Sequence, residues 1–380
     1  MLVEAQAPGK LVIVGEYAVL EGAPGLAVAV DVRATARIAT TTGRHDAGPG
    51  RAPHLNQLVI PESGVSCGFR FVPGAEPRWE GASPGAFGLP LTACVGVLAG
   101  RGLLPSPSET PPCRIELESG DFHQTAADGR HIKLGLGSSA AIVVALMGAL
   151  LRWAGHALPG SDELIELCHE GHHRLQGGTG SGIDVATSLA GGVVAIKFNE
   201  PPRRPPSRAP RPPGSTPLRV PQAEPVAWPR HLRLVAAWSG ESASTPAMLG
   251  RLRAFREKDP AGFDSHMGRL GANAGRAVAA WADDDMAALL TAIDGYESGL
   301  RQLDEAARIG IFSPAHERLR EIARRHGAVY KPSGAGGGDF GIAVTDSPEV
   351  ERALRRAYVD AGVPLLDVEL CAPGLRVRGG

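Results

Sequence analysis

The stretch Leu134-Gly135-Leu136-Gly137-Ser138-Ser139-Ala140-Ala141, followed by the apolar run from Ile142 to Met147, carries residue types that can do chemistry at a spacing that can present them. Gly135 and Gly137 let the backbone approach a ligand closely or adopt positive φ, and the two serines offer N-caps to what reads as a buried helix. Free N–H groups in a first helical turn, together with the positive end of the helix dipole, favour a phosphate. The Ser139 hydroxyl suits a phosphate oxygen or a place around magnesium. A glycine turn before a capped core helix is the plainer reading, and the stretch by itself favours it.

Four further groups change that balance. Gln176-Gly177-Gly178-Thr179-Gly180-Ser181-Gly182-Ile183-Asp184 brings backbone close to something and presents Asp184 at the start of an alanine-rich helix. Asp184 reads equally as an N-cap and as a carboxylate that orients a substrate hydroxyl during phosphoryl transfer. Lys10, placed just before a first strand, is either a solvated end or a partner for a phosphate. Lys331 to Val344 holds a second glycine-rich run, Gly334-Ala335-Gly336-Gly337-Gly338-Asp339, and Trp238 to Thr245 forms a hydroxyl-rich loop.

Three patterns are decoys. His169-Glu170-Gly171-His172-His173 spells HExxH, but Gly171 weakens the helix and no third ligand is apparent, so a polar helix face is the preferred reading over zinc. Gly336, Gly338 and Gly341 fit GxGxxG, yet a strand follows where a dinucleotide fold needs a helix. Asp339-Phe340-Gly341 spells DFG without any HRD loop in the chain.

The elements that must position these residues follow from pattern. The chain has 380 residues, 43% of them hydrophobic, and a formal net charge of -1. That length suits about two domains, and that charge offers no footprint for nucleic acid or an anionic membrane, so a small ligand met by a local cluster is expected. Five scattered cysteines without a CxxC pair argue against a disulfide framework or a structural zinc site and suggest a reducing, cytoplasmic setting. There is no run of transmembrane length and no basic leader before Pro8. Short strands are expected at residues 11–14, 15–20, 26–30 and 36–40, and a variable hairpin region over 41–86 with Phe69 to Val72 as one strand. Helices are expected over 89–98, after the Gly135 to Ala141 run to about Trp153, and from Ser161. The Pro/Arg-rich stretch 201–230 reads as a linker or flexible insertion, dividing a domain 1–200 from a domain 231–380. Residues 247–326 are helical by period, broken near Gly262, Gly271, Gly295 and Gly310. A helix over 348–361 and a strand over 365–371 would close a ferredoxin-like domain.

Taken in order, three motifs resemble those of the GHMP kinase superfamily: Pro8-Gly9-Lys10 with Gly15-Glu16-Tyr17-Ala18-Val19-Leu20, Gly135 to Ala141, and Lys331 to Ala343. The likeness covers most of the chain outside 41–86 and 201–230. Within the superfamily the details are similar to phosphomevalonate kinases: Trp238-Ser239-Gly240 with Ala243-Ser244-Thr245, the run Lys331 to Asp339, and His172, Gln176 and Gly180-Ser181-Gly182 ahead of Asp184. Departures exist. His131 stands where many superfamily members have proline, Lys133 precedes the GLGSS run, and His173 stands at the spacing of the metal-binding glutamate of mevalonate kinases.

The resemblance implies an α+β, two-domain GHMP kinase fold, with a ribosomal protein S5 domain 2-like N-terminal domain and a ferredoxin-like C-terminal domain. It implies ATP and Mg2+ as cofactors and 5-phosphomevalonate as the acceptor in the mevalonate route to isoprenoids. ATP would be held by Gly135, Leu136, Gly137, Ser138, Ser139 and Ala140, with Ser139 assisting the metal. Lys10, Lys133 and Asp184 would be catalytic, and Lys10, Ser181, Gly182, Ser244, Gly334, Ala335 and Gly336 would bind the acceptor. A monomer or homodimer is expected. A mevalonate or other small-molecule kinase, a decarboxylase of the same fold, and a sensor without turnover stay open as alternatives.

Overall fold

A computed structural model describes residues 1–41, 55–106, 111–125, 131–178, 180–198 and 219–379. Two long strands, β1 (Leu2–Val14) and β2 (Gly25–Thr40), start the chain. Between them Gly15 (φ 121) and Tyr17 (φ 62) turn the backbone into a single 3-10 turn, Ala18–Glu21. The strand expected at residues 15–20 is therefore absent, because a left-handed residue cannot continue a pleat. Lys10 lies within β1, not before it. β1 reaches back to Leu2 because β2 pairs with almost its whole length.

The hairpin region supplies β3 (Asn56–Ile60), β4 (Val65–Arg70) and β5 (Arg78–Glu80), so the strand there begins before Phe69 and ends at Arg70. Then come α1 (Leu89–Gly100), β6 (Cys113–Glu118), β7 (His123–Thr125), β8 (His131–Lys133), α2 (Ser138–Trp153), α3 (Ser161–Leu175), α4 (Ile183–Ala190), β9 (Val193–Phe198) and β10 (Pro221–Val226). β10 corrects the flexible reading of 201–230 over its last third. Its prolines, Pro221 and Pro225, are tolerated because β10 is an edge strand paired antiparallel to β9. Residues 201–218 of that stretch lie outside the described residues.

The second half runs β11 (Arg233–Trp238), α5 (Thr245–Lys258), α6 (Pro260–Ala282), α7 (Met286–Ala307), α8 (Pro314–Arg325), β12 (Val329–Pro332), β13 (Phe340–Thr345), α9 (Pro348–Asp360) and β14 (Arg376–Gly379). The expected breaks near Gly271 and Gly295 do not occur, while the one near Gly262 does: α5 ends at Lys258 and Asp259 caps α6 by accepting from the Gly262 N–H. Inside α6 and α7 glycine serves close packing: a β-carbon at Gly295 would stand 2.9 Å from Asn273 Oδ1, and one at Gly299 2.9 Å from Leu270 Cδ2. The break near Gly310 is present, and Asp285 caps α7 by accepting from the Ala288 N–H.

The larger sheet has the order β10-β9-β2-β6-β3-β4-β5, with β1 pairing β2 and β14 pairing β1. β2 pairs with β9 along its first residues and with β6 along its last. α2 is buried almost all round, from Ala140 to Leu151, and packs on β1 and β2, which is how its N-terminus is delivered to the middle of β1. The smaller sheet is β11-β13-β12, covered by α8 and α9. The strand expected over 365–371 is reduced to bridges, Leu365 with Ala237 and Leu370 with Val30. Its two ends are claimed by different sheets, so it cannot lie along either. No helix among the described residues is long and apolar enough to cross a membrane. The cysteines are free, with Cys94, Cys113 and Cys168 buried.

Candidate active site

The approach of β1 to the loop before α2 builds the centre. Gly9 lies so near the loop that a β-carbon on it would stand 2.8 Å from Leu136 O, and the Lys10 N–H donates to that same carbonyl at 2.9 Å. The Lys10 stem then runs past Gly137, whose missing β-carbon would be 3.2 Å from Lys10 Cε. Lys10 is 6% exposed. Its ammonium lies 3.4 Å from Asp184 Oδ1, and Gly334 of the third glycine loop comes next to it, with a β-carbon there 3.9 Å from Nζ. One lysine thus touches all three motifs.

Neither serine caps α2. Gly137 holds the N-cap position at φ 84 and has no side chain to bond the first turn, so no side-chain acceptor competes for its N–H groups. α4 starts the same way, with Gly182 at φ 79. Asp184 is accordingly not an N-cap; it sits in the first turn, turned to Lys10. Ser181 Oγ accepts from the Ile183 N–H at 3.4 Å, and Thr179 lies outside the described residues.

The HExxH helix is not a solvated face. His169 and His172 are buried, and among the described residues no metal-binding group of three assembles. His169 Nε2 lies 3.1 Å from Arg219 O, while its ring fills the space beside Gly182. His172 Nε2 stands 3.0 Å from Ser139 Oγ. Burial pushes the His172 pKa down to about 4, with Lys133 and Lys10 adding to the effect and Asp184 opposing it. Hence His172 is neutral near pH 7. In the tautomer protonated on Nδ1 it accepts the Ser139 hydroxyl proton, leaving the Ser139 oxygen lone pairs for a cation.

Lys133, exposed at the end of β8, is near enough to act on both His172 and Asp339. Its carbonyl accepts from Ser242 Oγ at 2.6 Å, which ties the hydroxyl-rich loop to the site. Ser244 opens α5 from an exposed position without capping it. Gly334, Ala335 and Gly336 arrive beside Lys10 and Tyr17. The Tyr17 hydroxyl donates to Ala335 O, and a β-carbon at Gly336 would meet Ile311 O at 2.6 Å.

Sequence reasoning overlooked three residues in this neighbourhood. Glu16 and Lys331 form a buried pair at 2.5 Å, and Glu16 Oε1 also accepts from the Gly334 N–H at 3.2 Å. Asp339, dismissed within DFG, lies with its carboxylate against Gly135 at φ 58, and burial raises its pKa. The signal for all three was membership in the glycine-rich motifs; their partners are remote in the chain.

Magnesium prefers oxygen ligands, keeps several waters and commonly takes one or two protein groups plus phosphates. The residues fit that demand, since Ser139 is oriented by His172 and carboxylates lie close by.

Residues 108–192 match the GHMP kinases N terminal domain and residues 284–362 the GHMP kinases C terminal domain. A phosphomevalonate kinase from a Streptomyces species is 31% identical over 94% of this chain and 94% of its own length. A mevalonate kinase from Thermococcus sibiricus is 26% identical over 100% of this chain and 99% of its own. Among solved structures, a Streptococcus pneumoniae phosphomevalonate kinase in complex with phosphomevalonate and AMPPNP superposes with a TM-score of 0.71 at 20% identity, covering 97% of this chain and 99% of that one. With both halves matched and a relative this similar along nearly its full length, the chain belongs to the GHMP kinases.

Proposed function

We propose that the protein transfers the γ-phosphoryl group of ATP to the phosphate of 5-phosphomevalonate, giving 5-diphosphomevalonate and ADP in the mevalonate route. The observation that carries this reading is the second lysine. Lys133 stands exposed at the end of β8, close enough for its charge to bear on His172 and Asp339 as the Lys10 charge does, and an acceptor that is itself a phosphate needs such an extra positive charge. The Streptomyces relative supports the same acceptor.

The chain's own residues divide the work. Gly135 to Ala140 offer backbone N–H groups to the nucleotide phosphates. Ser139 would hold Mg2+, which neutralises phosphate charge when bound. Lys10 and Lys133 balance charge on the transferring and accepting phosphates, and Asp184 orients the acceptor with Ser181 and Gly182 at its side. The acceptor phosphate is largely ionised near pH 7, so Asp184 has less need to remove a proton than it would toward an alcohol. Gly334 to Gly336 and Ser244 line the acceptor's far side. We place the N-terminal domain at 1–200 and the C-terminal domain from 231, in a cytoplasmic protein.

The test is ADP release with ATP and magnesium, offering 5-phosphomevalonate and mevalonate separately. Turnover with 5-phosphomevalonate alone is expected. Turnover with mevalonate alone would overturn the acceptor and favour the reading that the Thermococcus relative suggests.

A further inference from the structure

The third glycine loop has almost no side chains of its own, so its backbone must be held from outside. At one end Ser333 Oγ accepts from the Val12 N–H and donates to Val12 O, each at 2.9 Å. In the middle the Gly337 N–H donates to Ile311 O at 2.7 Å. At the far end the holder is an imidazole: His316 Nε2 lies 2.8 Å from Gly338 O.

His316 sits in the first turn of α8 and is 0% exposed. Its Nδ1 lies 2.6 Å from the Tyr330 hydroxyl. A carbonyl can only accept, so Nε2 carries the proton, and Nδ1 accepts from the tyrosine. Burial, which pushes the His316 pKa down to about 4, keeps that neutral form near pH 7. Tyr330 is wedged in turn: a β-carbon at Gly341 would stand 2.0 Å from its hydroxyl oxygen, so glycine is required there. The residue after Gly338 is Asp339, whose N–H donates to Glu241 O at 2.7 Å and whose carboxylate rests on Gly135.

We propose that His316 is a positioning residue: its Nε2–H on the Gly338 carbonyl, braced by Tyr330, sets the third glycine loop and the Asp339 carboxylate against the nucleotide loop. The inference rests on the reading that this loop lines the acceptor site. His316 touches no reacting group; it acts through the loop backbone. A buried histidine that merely satisfies its own polar atoms would stabilise α8 without controlling acceptor binding, and the two roles separate by experiment.

Three variants suffice. His316→Ala removes the relay, His316→Gln keeps a donor of similar reach, and Tyr330→Phe removes the brace. Each is assayed for acceptor KM with whichever of 5-phosphomevalonate or mevalonate supports ADP release, for the Kd of AMPPNP, and for amide hydrogen exchange. The expected result for His316→Ala is an acceptor KM raised about tenfold, an AMPPNP Kd raised by much less, and faster exchange confined to residues 334–340. His316→Gln should recover most of both effects, and Tyr330→Phe should fall between. Unchanged acceptor KM and unchanged loop exchange would overturn the proposal, as would uniformly faster exchange with KM and Kd moving together. Should His316→Ala fail to fold, Tyr330→Phe with wild-type exchange over 334–340 overturns it equally. The acceptor assignment fails separately, by which acceptor turns over; should neither do so, exchange alone decides.

Discussion

Two lysine–carboxylate pairs meet the third glycine loop at Gly334, and they have opposite characters. Lys10 and Asp184 stand 3.4 Å apart with the Asp184 side chain 27% exposed. Lys331 and Glu16 stand 2.5 Å apart with side-chain exposures of 0% and 2%. In the first pair the Lys10 side chain is only 7% exposed, but water reaches the carboxylate and the contact is longer than a good charge-assisted hydrogen bond, so Asp184 can turn to a ligand at small cost. In the second both charges are desolvated and depend on each other. Burial pushes the Lys331 pKa down from its ordinary value, while the Glu16 carboxylate opposes that shift. Residue type and proximity to the site are shared; solvent access separates the group that can handle substrate from the one that holds the loops together.

The largest effect should come from breaking the sealed pair. Lys331→Met leaves Glu16 buried without its cation, and Glu16 Oε2 already has no hydrogen-bond partner. A stability loss of about 3–5 kcal/mol is expected in urea unfolding. Adding Glu16→Gln in the same chain should return part of it. A loss below about 1 kcal/mol would erase the contrast between the pairs.

The open pair should behave the other way. Asp184→Ala is expected to lower kcat by about 10²–10⁴-fold while shifting unfolding free energy by less than about 1 kcal/mol. Steady-state ADP release and the same urea titration read both numbers. Full turnover in this variant would remove Asp184 from the mechanism.

A pH titration sharpens the distinction between reachable and sealed groups. Burial pushes His169 and His316 from 6.5 to about 4. Between those values the unfolded chain binds more protons than the folded one, so stability is fully present above about pH 6.5 and declines as pH falls toward 4, by up to about 1.4 kcal/mol per unit for each histidine. Urea unfolding at pH 7 and pH 5 should show the decline, and His316→Gln should flatten it. Equal stability at the two pH values would mean that both rings are open to water.

Much of the fold was legible where pattern and burial coincide. The helix from Ser138 to Trp153 was read to its last residue because an unbroken apolar run of that length can only be a core helix. The edge strand Pro221–Val226 was hidden by prolines that a strand tolerates at an edge, and edge status is a property of the sheet. The glycines of α6 and α7 were read as breaks because glycine's low helix propensity is local, whereas the neighbour pressing on Gly295 is a side chain of another helix. At the site, the structure brings Lys10 to Asp184 and sets Ser139 against His172 at the start of α2, but the serines were expected to cap a helix that Gly137 begins.

By itself the sequence determined the chemistry on offer: three glycine-rich runs, a small set of lysines and carboxylates beside them, and a core helix to carry the loop from Gly135 to Ser138. Those are properties of residue type and spacing. Tertiary structure alone decided which charges face solvent and which face each other, that His172 and not His173 stands against Ser139, and that His316 meets both Tyr330 and the Gly338 carbonyl, the latter 22 residues away by chain. The physical reason is that pairing and desolvation depend on separation in space, and the sheet brings together Lys10, Asp184 and Gly334, which the chain keeps far apart.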